Sequence, residues 1–125
     1  MLISPASGQQ VDGDQFVIAE WTAEADPQWI APPHKHHECD EAWYVLEGEL
    51  EFQIDGELIT AKAGDMVWGK KGLSHTYRNP SSEPARYLLI MTPKTKALID
   101  AIHAAEDRSW AALQNQFARF DATLL

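Results

Sequence analysis

From Pro27 to Pro93 the chain never runs far without meeting a glycine or a proline. Pro27, Pro32, Pro33, Gly48, Gly56, Gly64, Gly69, Gly72, Pro80, Pro84 and Pro93 leave only short apolar runs between them. Proline lacks the N–H a helix needs, and glycine costs more backbone entropy there than any other residue. Short runs between such breaks are the pattern of a sandwich or barrel of short strands. The clearest run is ELEFQIDGELITAKAG, residues 49–64. Leu50, Phe52 and Ile54 alternate with Glu49, Glu51 and Gln53, so one strand face is apolar and the other polar and acidic. Asp55-Gly56 suits a two-residue type I′ turn, where both residues need φ > 0.

Further strands are expected at Gln15 to Trp21, Ala42 to Leu46, Met66 to Trp68, Ser74 to Arg78 and Arg86 to Met91. After Pro93 the period changes. Leu98, Ile99 and Ile102 recur at helical spacing, as do Leu113, Phe117 and Phe120. Two helices are expected, Thr95 to Ala105 and Ser109 to Phe120. With no repeat or linker, the 125 residues read as one domain, a barrel to about residue 93 and a helical tail from about 94. The tail is expected to pack outside the barrel, over its mouth as a lid, or against a partner chain.

Nineteen acidic and ten basic residues give a net charge of −9, which argues against nucleic acid and anionic lipid as partners. No apolar run approaches the roughly 20 residues of a membrane span. The first residues show no basic start followed by an apolar stretch, so no signal peptide is expected. A lone cysteine, Cys39, cannot form an internal disulfide, and the expected location is the cytoplasm.

Three histidines and one glutamate carry the chemistry. His34 and His36 are two apart and share one strand face. Glu41 lies five residues past His36, on the wrong parity unless the chain turns at His37-Glu38-Cys39-Asp40. Beyond that turn Glu41, Trp43 and Val45 share a face, and His75, Tyr77 and Asn79 share a face of another strand. A barrel allows three imidazoles and one carboxylate to converge. Such a donor set suits Fe, Ni, Mn, Co, Cu or Zn, and leaves room for water, dioxygen or a substrate oxygen. Taken alone, a histidine on a strand is more often a hydrogen-bonded or solvent-facing residue than a ligand.

HKHHECDEAWYVLEG resembles the first motif of the cupin superfamily, G-x5-H-x-H-x3,4-E-x6-G. His34, His36, Glu41 and Gly48 fall on it in order, with four residues between His36 and Glu41 and six between Glu41 and Gly48. GDMVWGKKGLSHTYRN resembles the second motif, G-x5-P-x-G-x2-H-x3-N, through Gly64, Gly72, His75 and Asn79. Gln28 and Lys70 stand where the family has a glycine and a proline, both turn positions. The resemblance covers about residues 28 to 79, and the tail looks like that of quercetin-dioxygenase-like single-domain members. It implies an all-β, cupin-type double-stranded β-helix (jelly-roll) barrel. It also implies one divalent transition metal per chain on His34, His36, Glu41 and His75, and a homodimer.

Glu41 is then also a candidate catalytic base, and Tyr77 a candidate proton donor. Trp43, Phe52 and Tyr77 either line a substrate pocket or simply pack the core. His37 has the opposite parity and is expected to point away. Cys39 is expected to be an incidental exposed thiol, and Trp21, Trp29, Trp68 and Trp110 core or interface residues. Three functions remain open: a metal-dependent oxygenase on a small organic substrate, a metal-loaded module that binds a small ligand, and a metal-dependent isomerase or lyase.

Overall fold

The computed structural model describes residues 1–125. After a single 3-10 turn at Pro5–Ser7 come nine strands: β1 Val11–Asp12, β2 Val17–Ala23, β3 His34–His36, β4 Glu41–Glu47, β5 Glu49–Ile54, β6 Glu57–Lys62, β7 Met66–Gly69, β8 His75–Arg78 and β9 Ala85–Met91. Helices α1, Pro93–Ala104, and α2, Trp110–Arg119, follow, and the chain ends in a tenth strand, β10, Ala122–Leu124.

The strands form two five-stranded sheets, β1-β2-β9-β4-β7 and β10-β3-β8-β5-β6. All pairings are antiparallel. The sheets face each other as a double-stranded β-helix, the jelly-roll barrel expected. Alternation sets the inside: β9 buries Ala85, Tyr87, Leu89 and Met91 and leaves the residues between them half-buried. The main core joins these to Val17, Ala19, Trp43, Val45, Leu50, Phe52, Ala61 and Tyr77. The β5–β6 hairpin turns at Asp55 and Gly56 with φ of 49° and 84°, as a type I′ turn requires. Gly48 has φ 77°, and a Cβ there would sit 2.8 Å from the Pro84 carbonyl oxygen, so the β4–β5 corner admits only glycine.

The helices start with capping side chains. Thr92 accepts the Thr95 N–H ahead of α1, and Ser109 accepts the Ala112 N–H ahead of α2. Pro93 opens α1 rather than preceding it, the helical position where its missing N–H costs nothing. The tail is not wholly helical. Asp121, in the left-handed region at φ 57°, ends α2 and turns the chain into β10. Leu98, Phe117, Ala122 and Leu124 form a second small core, backed by Ile102, Leu113 and Phe120.

One sequence-based expectation is corrected at this level. Cys39 is buried, at 7% exposure, not an exposed thiol. The crossing from β3 to β4 runs under the tail, where the His37 N–H donates to the Asp121 carbonyl at 2.9 Å. Trp68 and Trp110 lie outside the core, at 60% and 49% exposure. Trp68 has the opposite parity to buried Val67 on edge strand β7, and Trp110 opens α2. Trp29 is half-buried with the Arg78 guanidinium 4.4 Å from its ring centre. No helix is long and apolar enough to cross a membrane.

Candidate metal centre

Strand pairing brings the histidines together. His34 on β3 is the direct cross-strand partner of His75 on β8, so their side chains leave the sheet on one face. His36 follows two residues later on that face. Ring centres lie 4.5 Å apart for His34–His75, 5.1 Å for His34–His36 and 5.3 Å for His36–His75. Glu41 arrives from the opposite sheet. Residues 37–40 carry the chain from β3 in one sheet to β4 in the other, which resolves the odd spacing between His36 and Glu41. Its Oε2 lies 2.9 Å from His75 Nε2 and 3.5 Å from His36 Nε2.

All four residues are buried, yet His36 Nε2, His75 Nε2, His75 Nδ1 and Glu41 Oε2 make no aligned hydrogen bond. The Glu41–His75 approach is short without the alignment of a hydrogen bond. Buried polar atoms left so cost about 1–3 kcal/mol each. One donor atom from each of His34, His36 and His75 lies within 4.8 Å of the others. Three buried imidazoles with free nitrogens are donor chemistry suited to a borderline divalent ion; Glu41 stands beside His36 and His75 but is not in that three-residue group.

Protonation favours the same use. Burial, then the neighbouring His75, pulls the His34 pKa down to about 4, so the ring is neutral. His34 Nδ1 is 2.8 Å from the Pro32 carbonyl, which accepts its N–H and leaves Nε2 with a free lone pair. Burial pushes the Glu41 carboxyl up, but its contacts with His36 and His75 outweigh that and hold it well below the usual range.

Beside these residues is a cavity of about 170 Å³. Trp43 and Tyr77 line it, as does the tail, through Leu98, Ile99, Ile102 and Phe117. The Phe117 ring centre is 5.1 Å from that of His34. Trp21, Ile30, Tyr77 and His103 also line a neighbouring, more open cleft. Phe52 does not reach the lining. It is fully buried behind Trp43 and stacks on Tyr77 at 5.4 Å, a core residue and not a pocket one. Gly69 makes room for the indole, since a Cβ there would lie 2.7 Å from Trp43 Cζ3.

Trp43 Nε1 is a further buried atom without a hydrogen bond. The hydroxyls of Tyr77 and Tyr87 are 2.7 Å apart. Burial raises both, Tyr77 well above its ordinary value and Tyr87 to about 12. His37 points away, its Nε2 2.7 Å from the Thr123 hydroxyl. Asn79 ties its turn, donating to the Ala23 and Glu83 carbonyls and accepting from Ser81.

What escapes sequence reasoning is the tail's last strand. β10 pairs with β3, the strand of His34 and His36, with Ala122 opposite His36 and Leu124 opposite His34. A three-residue strand shows no period to read. The helical spacing of Leu98, Ile99, Ile102 and Phe117 marks an apolar face without saying what it covers.

The Cupin domain family model matches residues 21–91. An uncharacterised protein of Aquifex aeolicus is 41% identical over 79 residues, 63% of this chain and 59% of that protein. Germin-like protein subfamily 2 member 2 of Arabidopsis thaliana is 34% identical over 88 residues, 64% of this chain and 40% of its own length. The match thus spans less than two thirds of either curated relative. A solved structure described as a sugar phosphate isomerase of the cupin superfamily, from Silicibacter pomeroyi, is 28% identical with a TM-score of 0.57, over 62% of this chain and 50% of that one.

Proposed function

The chain belongs to the Cupin domain family, and from that premise we propose that it is a metal-dependent enzyme on a small organic substrate, of the oxygenase kind. His34, His36, Glu41 and His75 hold one divalent transition ion per chain, of Fe, Ni, Mn, Co, Cu or Zn. The observation that carries the reading is the set of orphaned buried atoms, His36 Nε2, His75 Nε2 and Glu41 Oε2, facing one space beside a mostly apolar cavity. A bound ion there supplies Lewis acidity toward a substrate oxygen and a place for dioxygen.

The chain's own groups do the rest. Glu41 would leave the ion to accept a proton from the substrate. Tyr77, kept protonated by burial, donates one to oxygen charge that develops in the cavity. Trp43 and Tyr77 form the pocket wall, and the tail residues exclude bulk water. The protein works in the cytoplasm as a homodimer. Leu58, Met66 and Trp68, exposed on the outer strands β6 and β7, support that assembly.

A second reading, isomerase or lyase chemistry without dioxygen, is supported by the likeness to the Silicibacter pomeroyi protein. A third is a non-catalytic module that holds a small ligand. The test is elemental analysis of the protein as purified, then oxygen uptake with phenolic and diketone substrates. Uptake matched to product supports the oxygenase. Conversion without uptake favours the second reading, and binding without conversion the third. No metal at any site overturns all three.

A further inference from the structure

Four readily oxidised rings run in contact from the histidines to the protein surface. The Trp43 ring centre is 5.2 Å from that of His75 and 5.6 Å from that of Tyr77. Tyr77 is 5.6 Å from Tyr87, and Tyr87 is 6.5 Å from Trp21, centre to centre. Each separation is that of rings packed directly on one another. Trp43, Tyr77 and Tyr87 are buried, whereas Trp21 is half-buried and lines the open cleft. Core packing accounts for aromatic rings here but not for which rings reach the outside. Phe52 packs on both Trp43 and Tyr77, yet a phenyl ring gives up an electron far less readily than an indole or a phenol. Leu89, Leu98, Ile99 and Ile102 on the cavity wall are aliphatic. The series that leads outward holds indoles and phenols alone.

The proton has a route as well. A phenol that loses an electron must release its hydroxyl proton. The Tyr77 and Tyr87 hydroxyls are 2.7 Å apart, so the Tyr77 proton passes to the Tyr87 oxygen as the electron leaves. Tyr87 lines the open cleft, where water takes up the proton that Tyr87 gives in turn.

We infer that Trp43, Tyr77, Tyr87 and Trp21 form an electron path between the metal centre and the surface, fed at Trp21 by a small one-electron reductant. Trp43 gives one electron to an oxidant at the centre, and Tyr77, Tyr87 and Trp21 refill it in turn. The reductant, an enediol or a thiol, loses that electron. Each phenol regains its proton as it is reduced, so the path ends unchanged. Its use is to discharge an oxidation that no substrate consumes before the ligand side chains are attacked. The inference rests on the metal reading, with a redox-active ion such as iron, and adds a route for electrons to it.

The experiment treats the iron(II)-loaded full-length protein with hydrogen peroxide. Peroxide takes two electrons and two protons to become two waters. Iron(II) supplies one electron as it becomes iron(III), and the path supplies the other, leaving Trp21 as a radical that has released its indole proton. Peptide mass spectrometry then reads the stable oxidation products at each tryptophan. Trp68 and Trp110, more exposed and off the path, gauge attack from solution. Trp21 should be oxidised severalfold more than either, and ascorbate, or zinc in place of iron, should remove that excess. Tyr87→Phe should cut the excess severalfold and move oxidation inward to Trp43 and the histidines, with one iron per chain still bound. Trp21→Phe should lengthen the life of a tyrosyl radical in freeze-quenched electron paramagnetic resonance, which keeps the test alive if Tyr87→Phe folds poorly. Bound iron with Trp21 no more oxidised than Trp68, or with the same excess in Tyr87→Phe, overturns the path and leaves the metal reading standing. So does a tyrosyl signal unchanged in Trp21→Phe. A protein that takes up no iron overturns the metal reading and this inference with it.

Discussion

The inward side chains of β4 run Glu41, Trp43, Val45, and those of β8 run His75, Tyr77, with Asn79 just past its end. One end of the barrel interior is thus closed by Val45, Leu50, Phe52 and Ala85, all fully buried and with no polar atom to satisfy. The other end holds His36, Glu41, His75 and the Trp43 indole nitrogen, buried to the same degree and without hydrogen bonds. The first end resembles any protein core, whose stability comes from apolar area and close packing. The second works against stability, because each orphaned group costs about as much as a good hydrogen bond returns. On the proposed reading, an ion from outside the chain completes that end. The contrast separates what holds the barrel together from what it is built to bind.

The largest expected effect breaks the polar end. His75→Ala should abolish stoichiometric metal, read by elemental analysis, and leave the barrel folded in circular dichroism. A variant that keeps a full equivalent shows that the ligand set is wrong. The matching change at the apolar end is Phe52→Ala. It should cost about 3–5 kcal/mol in denaturant unfolding, while the protein that remains folded still takes up one ion. Loss of metal with little loss of stability would erase the distinction between the ends.

A smaller effect tests the cover. Leu98, 2% exposed, packs with Phe117 in the tail's own core. Leu98→Ala should cost about 2 kcal/mol and let a small chelator strip the ion about tenfold faster, with metal affinity otherwise close to unchanged. Unaltered stripping would make the tail a support and not a lid. The smallest effect on stability is expected outside the barrel. Trp68→Ser should stay within about 0.5 kcal/mol of the parent in unfolding, yet shift the sedimenting species toward the 14.0 kDa monomer. A parent that already sediments only as monomer removes the dimer from the account.

The polar end was more legible in the sequence than its surroundings. His34 and His36 share parity, Glu41 is displaced by a polar crossing, and the hairpin carries its own turn residues, so strand period and turn chemistry suffice. What sequence could not carry were contacts set by distant partners. Phe52 alternates inward exactly as a pocket residue would; only the depth of Trp43 and Tyr77 in front of it makes it core. Cys39 reads as part of a polar surface turn, and it is buried in a crossing that the tail ties down at His37, through the Asp121 carbonyl. β10 is three residues long and its register against β3 is a tertiary fact. The helical faces of the tail announce burial without naming the cavity they wall.

The central claim, that the polar end is completed by one ion, is tested most directly by an anomalous difference map from crystals of the cobalt-loaded protein. The account predicts one peak per chain about 2.0–2.2 Å from nitrogens of His34, His36 and His75 and an oxygen of Glu41. No peak there, with cobalt seated on other side chains, would contradict it.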